Sequence, residues 1–204
     1  MESSEPPPRY SVLHRLIDID TAVSLHLHST AQPFLPRSLL KTLEISGDGR
    51  LFFPLVISLL LSPTTNTTTS FTFSLLSSLL IGAFLDLLLV GLIKHLVRRP
   101  RPIYNKDMFL SFSVDHWSFP SGHSSRVCFV ATFLSLSSAQ LRFPYVEYVV
   151  FVACLWAAAT SISRVLLGRH FLCDVIAGVL LGLLEAILVF RLLNYSILAS
   201  YFFS

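Results

Sequence analysis

The chain has 204 residues, of which 53% are hydrophobic and only 13% are charged, against about 25% charged residues in an average soluble domain. This composition argues against a water-soluble globule. The formal net charge of +3, without a sustained basic stripe, argues against nucleic acid as a partner. Three cysteines occur without a CxxC pair or an even-numbered framework, so the sequence predicts neither a metal centre nor a disulfide scaffold.

The N-terminal quarter is predicted to lie outside the bilayer core. Residues 1–8 form a Pro-rich head that we expect to be disordered, and residues 9–28 mix apolar and charged positions at roughly helical spacing. That pattern is typical of a helix that lies in the membrane interface. Residues 9–204 are therefore expected to form a single domain, with interfacial helices over 9–50 and a transmembrane core over 51–204.

Apolar runs long enough to cross a bilayer as helices follow along the rest of the chain. The three clear candidates are residues 71–93, 145–163 and 175–193. Residues 125–141 form a shorter, Ser-rich fourth candidate. The 12 residues 51–62 either extend back through Ile45, with a kink at Pro54, or dip in and pack against the other helices. Together these runs predict an all-α, multi-pass membrane bundle of five or six helices.

The order of these spans places the two most polar interruptions on the same membrane face. Residues 94–124 lie between the second and third crossings, and residues 164–174 lie between the fourth and fifth. Both segments are therefore expected to emerge in one layer, whose several cations and two histidines would bind an anion. The layer contains Lys94, Arg98, Arg99, Arg101, Ser121, His123, Arg126, Arg164, Arg169, His170 and Asp174.

Two patterns in this layer suit phosphate chemistry. His170 and Asp174 are four residues apart, so at the start of the last span we expect them to share a helix face. The carboxylate would then fix the imidazole tautomer and leave the other ring nitrogen as a nucleophile or base. Ser121 and Gly122 lead into the third span, where a hydroxyl and backbone N–H groups at a helix N-terminus favour an anion and glycine allows its close approach.

A third pattern supplies cations. Lys94 and Arg101 are seven residues apart, and prolines at positions 100 and 102 are expected to end the helix and hold the chain extended, so that both cations project from a rigid rim. The three patterns resemble the signature motifs of the type 2 phosphatidic acid phosphatase (PAP2) superfamily. They read Lys94-x6-Arg101-Pro102, Pro120-Ser121-Gly122-His123 and Ser163-Arg164-x5-His170-x3-Asp174.

The resemblance implies a role for each of these motif residues. It implies that His170 attacks phosphorus to form a phosphohistidine, that Asp174 orients His170, and that His123 is the general acid and then the base. No metal or cofactor is implied. The two histidines would need opposite protonation states, so their pKa values are expected to be separated. The implied phosphate-binding set is Lys94, Arg101, Ser121, Gly122 and Arg164.

The similarity extends to the runs around these motifs, over roughly residues 80–182. These runs resemble the presqualene and polyisoprenoid diphosphate phosphatase subgroup, which includes the plant lipid phosphate phosphatases of the beta type. The resemblance implies an acid phosphatase/vanadium haloperoxidase-like bundle that hydrolyses phosphatidate, isoprenoid diphosphates or both. It also favours the endoplasmic reticulum membrane and a lumenal site. Two alternatives remain open: a vanadate-dependent haloperoxidase and a catalytically silent lipid-binding or interaction protein.

The carboxylates and the paired glycines inside the spans are expected to have structural roles. Asp86 and Glu185 are intramembrane carboxylates and should face the bundle interior, with Arg126 as a candidate partner for one of them. Gly178 and Gly182 form a GxxxG pattern that indicates close helix packing inside the domain.

Four further polar residues are not expected to take part in catalysis. Arg98 and Arg99 are expected to belong to a positively charged cluster at a span end or to a lipid headgroup rim. His26 and His28 are expected to be interfacial or solvated and not metal-binding.

Overall fold

The computed structural model describes residues 12–62, 70–105, 116–141 and 144–193, and within them the chain forms seven α-helices and no extended strand. The helices are α1 (Val12–Ala31), α2 (Arg37–Ser46), α3 (Gly49–Leu61), α4 (Ser70–Val97), α5 (Gly122–Ser137), α6 (Val146–Leu166) and α7 (Leu172–Leu192). The predicted all-helical class is confirmed. The head predicted over residues 1–8 lies outside the described residues.

Three of these helices are long and apolar enough to cross a membrane, and they coincide with the three clear runs of the sequence. They are Thr72–Val97 of α4, Val146–Leu166 of α6 and Leu172–Leu192 of α7. Large apolar side chains on their outer faces are exposed, among them Leu88, Phe151 and Leu184. Contiguous exposed apolar surface is unfavourable in water but is the ordinary outer face of a helix in lipid.

The shorter helix α5 lies at the centre of the bundle and packs most extensively on α7. Glycines of α7 make this contact possible. A Cβ atom at Gly178 would lie 2.4 Å from the carbonyl oxygen of Ser121, and one at Gly182 would lie 2.1 Å from that of Ser125. The GxxxG pattern therefore brings two helices of the same chain together, as predicted.

The short apolar run over residues 51–62 belongs to a separate helix. α3 begins at Gly49, where the side chain of Asp48 accepts a hydrogen bond from the backbone N–H of Arg50 (2.9 Å). This N-cap satisfies one of the donors that the first turn leaves unpaired. Pro54 lies inside α3. The run therefore does not extend back through Ile45 as a continuous helix.

Ionisable residues inside the bundle are paired. Nη2 of Arg126 lies 3.2 Å from Oδ2 of Asp86, and the carboxyl group of Glu185 lies beside that of Asp86. All three side chains are buried. Both carboxylates therefore face the interior, as predicted, and the expected cation partner is Arg126.

The N-terminal helices pack on the end of the bundle that carries the polar layer. α1 contacts α6 and α7, and α2 contacts α6. Nδ1 of His28 lies 2.7 Å from the carbonyl oxygen of Leu166, and its ring stacks on Tyr104 with 4.8 Å between centroids. His26 is exposed. The exposure of His26 agrees with an interfacial or solvated position, whereas His28 is half-buried against α6 and Tyr104.

Candidate active site

A tight loop between α6 and α7 presents Arg169 and His170 to the bundle interior. Gly168 makes this loop possible, because its φ of +73° lies in the left-handed region that favours glycine. Its N–H donates to the carbonyl oxygen of Val165 (2.9 Å). A Cβ atom at this position would also lie 2.7 Å from Cδ2 of Tyr104. Both conformation and space therefore require glycine immediately before the two site residues.

The imidazole of His170 is held by a backbone carbonyl group. Its Nδ1 lies 2.8 Å from the carbonyl oxygen of Ser118, and its Nε2 lies 3.2 Å from Nη1 of Arg101. A carbonyl oxygen can only accept, so we assign the proton to Nδ1 and a lone pair to Nε2. His170 precedes α7, and its Nδ1 lies 3.7 Å from Oδ2 of Asp174. The expectation that Asp174 shares a helix face with His170 and fixes its tautomer is therefore wrong.

Asp174 instead closes the first turn of α7. Its Oδ2 accepts a hydrogen bond from the N–H of Phe171 (2.9 Å), and its Oδ1 pairs with Nη1 of Arg99 (2.7 Å). Arg99 also pairs with Asp20 of α1 (2.7 Å). The interpretation of Arg99 as part of a surface cluster is therefore wrong, because its guanidinium is committed to two buried carboxylates. Arg98 is exposed.

Arg164 and His123 carry buried donors or acceptors that the described residues leave without a hydrogen bond. The Arg164 side chain is completely buried, and its Nη1 lies 2.9 Å from Oε1 of Glu44 as an ion pair without hydrogen-bond geometry. The other guanidinium nitrogens and Nε2 of His123 have no hydrogen-bond partner in the described part of the chain. Because unpaired buried donors are costly, these groups fit an oxyanion.

Glu44 of α2 is a site residue that the sequence interpretation missed. Its Oε1 lies 3.1 Å from Nε of Arg169, so one carboxylate faces both Arg169 and Arg164. Burial alone would raise the pKa of Glu44, but the two guanidinium groups lower it below its usual value. The available signal was that Glu44 is the only acidic residue in α2.

The two cations of the first motif lie where the sequence places them. Nζ of Lys94, a buried side chain near the end of α4, donates to the carbonyl oxygen of Trp117 (2.8 Å). Nη1 of Arg101 donates to the carbonyl oxygen of Arg169 (2.8 Å) in addition to its contact with His170. The first and third motifs are therefore adjacent in space, as the order of the spans predicts.

The second motif forms the N-terminus of α5. Oγ of Ser121 accepts a hydrogen bond from Oγ of Ser124 (2.9 Å), and the N–H of Ser121 donates to the carbonyl oxygen of Asp174 (2.9 Å). Gly122 is the first residue of the helix, so its N–H has no acceptor within the helix. A Cβ atom at Gly122 would lie 3.2 Å from Cγ1 of Val90. This glycine therefore serves the packing of α5 on α4.

Both histidines have a lowered pKa. Burial is the largest cause for each, and cations lower the pKa further: Arg101 and Arg164 for His170, and Arg164 and Arg126 for His123. The sequence interpretation expects opposite protonation states for the two histidines, whereas in the substrate-free site both pKa values are shifted in the same direction. Burial and the shared cations therefore oppose the protonated form of both imidazoles before a substrate binds.

Two polar residues of α1 were also missed. Asp20 and Ser24 are the buried residues of this helix, and both contact the start of α7. The register of α1 did not reveal them, because apolar residues on the same helix face as Asp20, such as Leu16 and Val23, are themselves exposed.

A match to the PAP2 superfamily covers residues 70–198. The chain belongs to the PAP2 superfamily. It is 41% identical over 201 residues to the probable lipid phosphate phosphatase beta of Arabidopsis thaliana, covering 88% of this chain and 91% of that protein. A lipid A 1-phosphatase of Rhizobium etli is 40% identical over 103 residues, 47% of this chain and 40% of that protein.

A solved structure supports the same assignment for this PAP2 chain. The PAP2-type phosphatidylglycerolphosphate phosphatase of Bacillus subtilis superposes with a TM-score of 0.70 at 26% identity, covering 87% of this chain and 86% of that one. The three long apolar helices and these membrane relatives identify an integral membrane protein of the lipid phosphate phosphatase family. The resemblance stated from the three motifs is confirmed.

Proposed function

We propose that this PAP2 protein hydrolyses lipid phosphates through a covalent phosphohistidine on His170, without a metal or other cofactor. The observation that carries the proposal is the pairing of a nucleophile with an anion site. Nε2 of His170 bears the lone pair and lies 3.2 Å from Arg101, while the buried Arg164 has guanidinium nitrogens without a hydrogen-bond acceptor in the described residues. In this proposal the two guanidinium groups bind the phosphoryl group beside that nitrogen.

The reaction has two displacement steps. Nε2 of His170 attacks phosphorus, the bond from phosphorus to the lipid oxygen breaks, and His123 donates a proton to that oxygen. A water molecule then attacks the phosphohistidine while His123 accepts its proton, which releases phosphate and restores His170. In both steps the phosphate-binding set stabilises the negative charge on the transferring group. That set is Lys94, Arg101, Ser121, Gly122 and Arg164.

His123 must be protonated to act as the general acid, but the cations of the substrate-free site lower its pKa. We infer that binding of the substrate raises this pKa. A dianionic phosphate beside Arg164 and Arg101 offsets part of the local positive charge, which raises the pKa of His123 once the substrate is bound. Asp174 acts on the nucleophile indirectly, through the N–H of Phe171 and the side chain of Arg99.

The substrates we propose are phosphatidate, isoprenoid diphosphates of the presqualene and farnesyl type, or both. A lipid suits this site because it lies at the ends of apolar helices, where a hydrocarbon chain stays in the bilayer while the headgroup reaches the cations. The subgroup resemblance supports the endoplasmic reticulum membrane as the location. Imaging of the tagged protein, with protease protection of the catalytic face, tests that location and orientation.

Trapping the covalent intermediate tests the mechanism. An aryl phosphate with a good leaving group, labelled on phosphorus, needs no proton from His123 and separates the two steps. We expect an alkali-stable, acid-labile phosphoprotein in the wild type, more of it in His123→Asn, and none in His170→Asn. Label that persists in His170→Asn, or that is stable to acid, contradicts the phosphohistidine.

A further inference from the structure

The two buried residues of α1 are polar, and both cap α7 immediately after His170. Oδ1 of Asp20 accepts a hydrogen bond from the N–H of Cys173 (3.0 Å), and Oγ of Ser24 accepts one from the N–H of Leu172 (2.8 Å). The first N–H groups of a helix have no acceptor within the helix and carry partial positive charge. α1 therefore supplies the acceptors that the start of α7 needs.

Arg99 joins this cap to Asp174. Its Nη2 lies 2.7 Å from Oδ2 of Asp20, and its Nη1 lies 2.7 Å from Oδ1 of Asp174. The centre of the guanidinium lies 4.1 Å from the centroid of the Phe171 ring. The two carboxylates are almost completely buried, so this planar cation is held between two fixed acceptors.

The backbone of Arg99 supports the other side of the same imidazole. Its carbonyl oxygen accepts from the N–H of Ser118 (2.8 Å), and the carbonyl oxygen of Ser118 contacts Nδ1 of His170 (2.8 Å). One residue therefore holds His170 from two directions. The backbone path runs through Ser118, and the side-chain path runs through Asp174 to the N–H of Phe171.

We propose that Asp20 and Arg99 are positioning residues for His170, so that α1 completes the active site. The inference rests on the proposed function, because it concerns how the His170 imidazole is oriented for attack on phosphorus. Nucleophilic attack is sensitive to displacements of about 1 Å, which can change a rate by about 100-fold. Asp20 lies outside the three motifs, and Arg99 occupies one of the unspecified positions of the first motif. The phosphate-binding cations contact other groups. Loss of the pairing should therefore lower kcat and leave KM nearly unchanged.

Asp20→Asn is the sharpest test, because asparagine keeps an oxygen for the N–H of Cys173 and removes only the charge that Arg99 meets. Asp18→Asn is the matched control, since Asp18 is an exposed residue of the same helix. With the full-length protein in mixed micelles of phosphatidate, we expect about a tenfold lower kcat in Asp20→Asn, KM within about twofold, and wild-type constants in Asp18→Asn.

A double variant tests whether Asp20 acts through Arg99. In an Arg99→Gln background, Asp20→Asn should cause no further loss of kcat, whereas independent effects would multiply. Arg99→Lys keeps the charge but cannot span both carboxylates in one plane, so it should also lower kcat at unchanged KM. This variant tests the same pairing if Asp20→Asn does not fold.

Three results would overturn the inference alone, given an active wild type: equal kcat in Asp20→Asn and Asp18→Asn, multiplying losses in the double variant, or wild-type kcat in Arg99→Lys. A folded wild type that releases no phosphate from lipid phosphates contradicts the proposed function itself, and the inference falls with it. The two failures are therefore distinguishable.

Discussion

Replacing Glu44 by Gln removes the counter-charge of two buried guanidinium groups. Arg164 is completely buried and Arg169 is 1% exposed, and the Glu44 carboxylate lies 2.9 Å from the first and 3.1 Å from the second. Removing one partner of a buried ion pair costs about 3–5 kcal/mol. The Glu44 side chain is 15% exposed and glutamine retains one acceptor oxygen, so we expect the lower end, about 3 kcal/mol.

The predicted loss is large enough to measure by thermal unfolding in detergent. In a domain of this size, 1 kcal/mol shifts Tm by about 2–4 °C, so Glu44→Gln should unfold about 6–12 °C below the wild type. Glu147→Gln is the control, because Glu147 is exposed in the first turn of α6. Its substitution should change Tm by less than about 3 °C, since the charge meets only the helix dipole.

An added oxyanion should partly replace the lost charge. Orthovanadate beside Arg164 would compensate the guanidinium that Glu44→Gln leaves without a counter-charge, so it should raise Tm more in the variant than in the wild type. The reasoning is refuted if Glu44→Gln unfolds at the same temperature as Glu147→Gln. A smaller orthovanadate shift in the variant would contradict the placement of the oxyanion beside Arg164.

Three further variants test the packing, the buried charges and the pH dependence. Gly182→Ala places a Cβ atom 2.1 Å from a backbone oxygen of α5, whereas nothing lies within 4 Å of one at Gly91; we expect a lower Tm in Gly182→Ala and a wild-type value in Gly91→Ala. Arg126→Gln leaves the buried carboxylate of Asp86 without its cation, which should destabilise the fold by about 3–5 kcal/mol; an unchanged unfolding midpoint would contradict this. Burial and nearby cations lower the pKa of His170 well below 6.5, so the unfolded chain binds a proton that the folded site does not. His170 should therefore make the free energy of unfolding fall as the pH drops below 6.5, by up to about 1.4 kcal/mol per pH unit. His123 adds a slope of the same sign, so His170→Asn should reduce the slope without abolishing it in denaturation at several pH values.

The convergence of the three motifs could be predicted because it depends on chain order and span length alone. Counting helices placed Lys94 and Arg101 on the same membrane face as His170, and the structure brings Arg101 to 3.2 Å from that imidazole. Helix packing through Gly178 and Gly182 followed from their spacing in the same way. Such features depend on periodicity, which the sequence displays directly.

The contacts that hold the site could not be predicted in the same way. Glu44 reaches Arg169 across 125 positions, and Asp20 reaches Arg99 across 79. Pairings of this kind are set by how the N-terminal helices dock on the bundle, which no local pattern specifies. The error at Asp174 has a different origin: the spacing to His170 suits a helix, but the helix begins two residues after the histidine.

Phosphate release from phosphatidate and from farnesyl diphosphate is the most direct test of the central claim. The detergent-purified protein is assayed in excess chelator, with His170→Ala as the comparison. The account predicts release that survives chelation and is abolished in His170→Ala, and the ratio of the two rates assigns the preferred lipid class. Release that requires a metal, that persists in His170→Ala, or that is absent from a folded wild type with both lipids would contradict it.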